Sequence, residues 1–71
     1  MDDSRLYKKV RGVGKGWFVP DDQDGIRIIG RYFARKMDAV AYAQGTQPER
    51  KGQFLSYSLP RFREDFEEVD Y

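Results

Sequence analysis

The sequence predicts a small α+β fold: an antiparallel sheet of three to four strands packed on one helix, in the order β-β-β-α-β, with a short acidic C-terminal helix or tail. Three observations carry this. Short β-type runs separated by glycine, proline and aspartate turns occupy the first half of the chain. The apolar period then changes from two to the helical pattern near residue 37. Finally, residues 64–71 carry five acids and no base, whereas residues 1–63 carry 13 bases and 7 acids. The body is therefore +6 and the tail −5, which divides the 71 residues into a basic domain, 1–63, and an acidic segment, 64–71.

Taken in order, residues 6–11 (Leu-Tyr-Lys-Lys-Val-Arg) alternate loosely and run into a flexible turn, Gly12-Val13-Gly14-Lys15-Gly16, so they predict a first strand. Trp17-Phe18-Val19 predicts a short second strand. The run from Pro20 to Gly25 is turn chemistry: proline fixes φ, the aspartates bond local backbone, and glycine accepts positive φ. It is expected to close a hairpin onto Ile26–Phe33, whose period of two puts Arg27, Ile29, Arg31 and Phe33 on one face. Met37, Val40, Ala41 and Gln44 recur at i, i+3, i+4 and i+7, predicting a helix over 34–44 with Gly45 as its stop. No Ser, Thr, Asp or Asn stands at the expected cap near Ala34, which leaves the helix start open by a turn. Residues 45–52 form a polar loop, 53–59 a fourth strand ended by Pro60. Phe62, Phe66 and Val69 then space residues 61–69 as a short amphipathic helix with an acidic outer face.

Composition narrows the function. A domain this short buries only about 60% of the surface its unfolded chain exposes, which leaves little room for a deep catalytic cleft. With no histidine and no cysteine, the usual general base, thiolate zinc sites and disulfide staples are all missing. An enzyme is therefore not expected, and no cofactor or metal is. No run approaches the roughly 20 apolar residues of a membrane span, and neither end reads as a secretion signal, so a cytoplasmic protein without membrane contact is expected. Eleven aromatics (one Trp, five Tyr, five Phe) are more than disordered segments hold.

Several fragments resemble catalytic or metal motifs without completing them. Asp21, Asp22, Asp24 and Gly25 look like part of a calcium loop, but the closing glutamate is absent. Gly12 to Gly16 looks like a phosphate loop, but the first glycine is misplaced and Gly16 stands where a hydroxyl should hold magnesium. Glu64, Asp65, Glu67 and Glu68 lie in a terminal run where nothing is expected to shift their pKa values.

The constellation that remains mixes cations with aromatics: Tyr7, Lys8, Lys9, Arg11, Lys15, Trp17, Arg27, Arg31, Arg35 and Lys36. Residues 7, 9 and 11 share a face of the first strand and 27 and 31 a face of the third, so one sheet surface is expected to gather them. Arginine offers bidentate contacts, lysine point charges, and aromatics stack on bases. Trp17 also suits a core anchor, and the charges also suit simple solubility.

Arg11-Gly12-Val13, Trp17, Gly30-Arg31-Tyr32 and Ala39-Val40-Ala41-Tyr42 stand in an order that resembles the three-stranded, one-helix DNA-binding domains of plant ethylene-response factors and tyrosine-integrase arm-binding domains, over about residues 7–45. The resemblance implies a sheet laid in the DNA major groove, with Arg11, Trp17, Arg27 and Arg31 at the reading positions. The early Pro20, the missing helix cap, the fourth strand and the acidic tail depart from that pattern.

Two functional expectations follow. The first is DNA or RNA binding through the basic and aromatic sheet face, using Lys9, Arg11, Lys15, Trp17, Arg27 and Arg31. The second is an inhibitor or adaptor of the kind that phages and mobile elements encode, which binds a basic groove of a host protein. There Glu64, Asp65, Glu67 and Glu68 mimic phosphates and Phe62, Phe66 and Tyr71 serve as anchors. A purely structural role for the tail, docking its phenylalanines to enlarge a meagre core, is the third option. The free edge of the sheet invites a homodimer, with Leu6 and Tyr57 as the edge residues of interest.

Overall fold

Short strands form where β-branched and aromatic residues alternate, and the computed structural model, which describes residues 5–46 and 51–70, joins five of them into one sheet. The elements are β1 (Leu6–Lys9), β2 (Trp17–Gln23), β3 (Arg27–Phe33), α1 (Lys36–Ala43), β4 (Gln53–Ser58), α2 (Leu59–Asp65) and β5 (Phe66–Val69). The strand order is β4-β3-β2-β1-β5, antiparallel at every pairing. The α+β class and the β-β-β-α-β order hold; the sheet has a fifth strand and the described chain a second helix. Residue 64, where the charge changes sign, falls inside α2.

Two elements differ from expectation. The run Pro20 to Gln23 is strand and not turn, so the β2–β3 connection shortens to the residues around Gly25. Pro20 is tolerated because of which way its nitrogen points. Lys9 N–H donates to Gly16 O at 2.9 Å, and antiparallel alternation from that pair turns the backbone of residue 20 toward the β1 side, beyond the last β1 pairing. The missing N–H thus costs the β2–β3 ladder nothing, and a bulge between Pro20 and Asp22 resets the register beyond it. Opposite Pro20 stands Gly30, where a Cβ would lie 2.2 Å from Val19 O and 2.8 Å from Pro20 Cα, so only glycine lets the strands meet there. The second difference is at the C-terminus: the helix expected over 61–69 stops at Asp65, and Phe66–Val69 extends the sheet beside β1. Pro60 ends β4 by starting α2, at a first-turn position where its missing N–H has no helical partner to lose.

The sheet is covered on both faces. On one, Leu6, Val19 and Phe33 are buried under Ala39 of α1, with Trp17, Val40, Tyr42, Ala43 and Val69 packed around them. On the other, Phe18 and Ile28 are buried under Phe62 of α2 and Phe66, flanked by Tyr7, Tyr32, Leu55, Tyr57 and Leu59. The consecutive apolar residues Trp17-Phe18-Val19 serve both faces, as a central strand requires. Rings of the second cluster meet mostly edge to face: Phe62 lies 4.9 Å from Tyr7 and 5.3 Å from Phe18, and it stacks on Phe66 at 4.9 Å.

Helix α1 starts without a side-chain cap, as its sequence suggested, at Arg35. It ends in a Schellman arrangement in which Gly45, at φ 78°, donates to Tyr42 O at 3.0 Å and Thr46 N–H donates to Ala41 O at 2.8 Å. Its inward face is built on Ala39, with Val40, Tyr42 and Ala43 beside it. Ala39 is fully buried, whereas Met37 is 82% exposed and lines an open apolar groove with Lys36, Val40, Ala41 and Gln44. The small face turns inward because the aromatic and branched residues of β2 and β3 already fill the layer, leaving α1 room to sit close.

Candidate functional site

Antiparallel topology fixes which loops share an end of the sheet. The β1–β2 connection, the β3–α1 junction and the start of β4 all lie at one end; the β2–β3 turn lies at the other. The first end therefore collects Arg11, Lys15, Arg35, Lys36 and Lys51, and the second collects Asp21, Asp22 and Asp24. From Arg5 to Pro20 the chain carries five cations and no acid.

The β1–β2 connection is built. Gly12 and Gly14 adopt φ of 92° and 87°, which turn the chain sharply. Lys9 Nζ donates to Val13 O at 2.9 Å, and Tyr32 Oη donates to Lys15 O at 2.7 Å. Gly16 passes under the Tyr32 ring, where a Cβ would sit 2.1 Å from its Cζ. Burial raises the Tyr32 hydroxyl above its ordinary pKa, so it stays a donor through the neutral range. Beside this loop an open groove of about 540 Å³ is lined by Lys8, Lys9, Val10, Lys15, Gly16 and Trp17. Val13 stands at the tip, 93% exposed.

The acidic segment lies against this region. Lys8 is opposite Glu67 and Tyr7 opposite Glu68 in the β1–β5 pairing, Val10 N–H donates to Asp65 O at 2.7 Å, and Arg11 Nη1 is 4.0 Å from Glu64 Oε1. The Arg11–Glu64 pair is exposed on both sides and contributes little to stability. At the start of α1, Lys51 Nζ lies 3.9 Å from Asp38 Oδ1.

Of the residues the sequence singled out for nucleic acid, Lys9, Arg11, Lys15 and Trp17 come together at the basic end. Arg27 and Arg31 do not join them. Tyr7 and Lys9 belong to the α2 side of the sheet, with Tyr7 opposite Phe18, whereas Arg31 is opposite Val19 on the α1 side. Arg27 Nη1 donates to Ser56 Oγ at 3.0 Å, and the Arg31 guanidinium sits 5.1 Å from the ring centre of Phe54. The single cationic face expected from strand alternation is thus two patches. The sheet face opposite α1 is covered by α2. Trp17 is half-buried against the α1 cluster, with part of it lining the groove.

Of the residues singled out for protein binding, Phe62 and Phe66 are buried in the α2-side core, and Tyr71 lies outside the described residues. Glu64, Glu67 and Glu68 are exposed; Asp65 is half-buried, with its Oδ2 3.8 Å from Arg61 Nε. Lys51 is the member of the basic end that sequence reasoning missed. It follows a polar loop, of which residues 47–50 lie outside the described residues, and only the β3–β4 pairing brings it to this end. No helix among the described residues is long and apolar enough to cross a membrane. No family model matches the chain, and no curated protein or solved structure is significantly similar to it.

Proposed function

We propose that the protein binds nucleic acid, DNA foremost, by docking phosphates on the basic end of its sheet. The observation that carries this is the convergence of Lys8, Lys9, Lys15 and Trp17 on one groove beside a glycine-turned loop, with Arg11 on that loop. Lysine is a point-charge ligand for phosphate and arginine adds a bidentate fork. The loop is pinned by Lys9 and Tyr32, so little ordering entropy is lost when a polyanion binds. The exposed part of Trp17 offers a ring to an unstacked base. Contacts of this kind position a backbone and carry no sequence code by themselves. A host-protein role for the acidic segment has weaker support, because two of its aromatic anchors, Phe62 and Phe66, are core residues.

The test is fluorescence anisotropy with labelled duplex DNA, single-stranded DNA and RNA of random sequence over about 50–200 mM salt, where each duplex phosphate contact steepens the log–log slope by about 0.9. Binding is expected with a slope near three contacts, abolished by Lys15→Glu with Arg11→Glu and retained by Arg27→Glu. Absence of binding to all three probes at the lowest salt, or binding indifferent to Lys15 and Arg11, overturns the reading.

A further inference from the structure

The two edges of the sheet are unlike. The β5 edge is four residues long and presents Glu67 and Glu68, the combination of shortness and charge that keeps an edge from pairing with another chain. The β4 edge, Gln-Phe-Leu-Ser-Tyr-Ser, is six residues long with no charge, proline or glycine. Among the described residues nothing pairs with its outer side. Phe54, beside it, is 57% exposed.

We infer that β4 is a self-association edge: two copies join β4 to β4 antiparallel about a two-fold axis through Ser56, merging their five-stranded sheets into one. The register follows from the ladder. Leu59 N–H donates to Ile26 O at 3.0 Å, in line with the β3–β4 register. Antiparallel alternation from that pair turns the backbone groups of Gln53, Leu55 and Tyr57 toward β3 and those of Phe54, Ser56 and Ser58 outward.

A two-fold axis perpendicular to the sheet can pass through Leu55, Ser56 or Tyr57 of this strand. Only the axis at Ser56 uses all three outward residues: Ser56 meets Ser56 of the second copy, and each Phe54 meets the other copy's Ser58, for about six inter-chain hydrogen bonds. Axes at Leu55 or Tyr57 leave Ser58 or Phe54 unpaired. The register through Ser56 also suits the side chains. Small hydroxyls meet at the axis, the bulky Phe54 faces a serine, and Leu55 lies opposite Tyr57 on the α2 side. β4 itself carries no charge, and each Arg27, whose Nη1 donates to Ser56 Oγ at 3.0 Å, brings its guanidinium near the axis from β3. A second copy fits this edge better than an unrelated strand, since the pattern is complementary to itself.

The test combines solution mass with a register-specific cross-link. The intact 8.4 kDa chain is expected to shift toward twice that mass in sedimentation equilibrium as its concentration rises from the micromolar to the millimolar range. Ser56→Pro removes an outward N–H without touching the β3 ladder and is expected to stay monomeric with an unchanged circular-dichroism spectrum. The chain has no cysteine, so a single one reports cleanly. At the axis the two Cα atoms are about 5.5 Å apart, within disulfide reach, so Ser56→Cys is expected to form a covalent dimer on oxidation. Ser58→Cys is expected not to, its copies lying about 14 Å apart along the strand. A native chain monomeric throughout the range, or Ser58→Cys cross-linking as readily as Ser56→Cys, overturns the inference. Should Ser56→Pro fail to fold, the cysteine pair decides alone.

Discussion

Replacing Phe62 by alanine separates a structural C-terminal segment from one that recruits a partner. Phe62 is 4% exposed and touches the rings of Tyr7, Phe18, Tyr57 and Phe66 at centroid distances of 4.9–6.1 Å. Truncating a buried phenylalanine costs about 3–5 kcal/mol, the sum of lost transfer energy and an unfilled cavity. At about 0.05–0.15 kcal/mol per residue, a 71-residue chain has a total of roughly 4–10 kcal/mol. Phe62→Ala therefore removes about 30% of the stability at least, and near the lower bound of the total it removes most or all of it. In thermal terms, at about 4–8 °C per kcal/mol for a domain of this size, the melting point falls by about 12 °C or more. Urea titration followed by Trp17 fluorescence and far-ultraviolet circular dichroism reads both quantities. The double change Glu67→Gln, Glu68→Gln serves as the contrast: both side chains are exposed, and the expected loss is under about 1 kcal/mol. A Phe62→Ala chain that loses less than about 1 kcal/mol would refute the packing of α2 on the sheet and return Phe62 to the candidate interface.

Three further outcomes follow from the same packing. Gly30→Ala places a methyl against Val19 O and Pro20 Cα, both backbone atoms that cannot swing away, and is expected to lower urea stability by about 2–3 kcal/mol. Met37→Ala is expected to change stability by less than about 0.5 kcal/mol despite removing the largest side chain of the helical stripe, because the residue faces solvent. Stability is expected to fall as pH rises beyond about 10, because burial raises the hydroxyl pKa of Tyr32, Tyr42 and Tyr57 in the folded state. The unfolded chain then loses its protons first, so the contribution is intact below the unfolded value and lost through the folded one. Equilibrium unfolding across that range, with Tyr57→Phe flattening the decline, checks the sign.

Local chemistry was legible where a residue's neighbours in sequence are also its neighbours in space. Gly45 marked the end of α1, the missing cap marked its weak start, and Trp17-Phe18-Val19 marked a strand. What failed depended on distant partners. Pro20 read as a turn because nothing nearby reveals that its nitrogen faces away from β3. The spacing of Met37, Val40, Ala41 and Gln44 marked the helix but not its inward face: Val40 packs on the core beside Ala39, while Met37 faces solvent. Residues 64–71 read as an acidic tail with three open roles, and only the fold shows that Phe62 and Phe66 close the α2 side of the sheet, the structural role among the three. The site suffered in the same way: Lys9 and Arg31 sit on strands whose faces are related only through the β1–β2–β3 register, and that register puts them on opposite sides.

The two proposals constrain each other through symmetry. A two-fold axis at Ser56 runs the β4 strands antiparallel, so the basic end of one copy and that of the other point in opposite directions along the merged sheet. One dimer then cannot lay both glycine-turned loops on the same short stretch of backbone. It engages two segments, and the aspartate turn of each copy, with Asp21, Asp22 and Asp24, lies at the same end of the sheet as the other copy's basic loop. That arrangement favours bridging of separate strands over tight binding to one, since like-charged phosphate is repelled from the aspartate turn. A chain held monomeric by Ser56→Pro should keep its salt-dependent affinity for a single duplex while losing the capacity to join two. The same experiment thus reads the two inferences independently: loss of affinity bears on the basic end, and loss of bridging bears on the β4 edge.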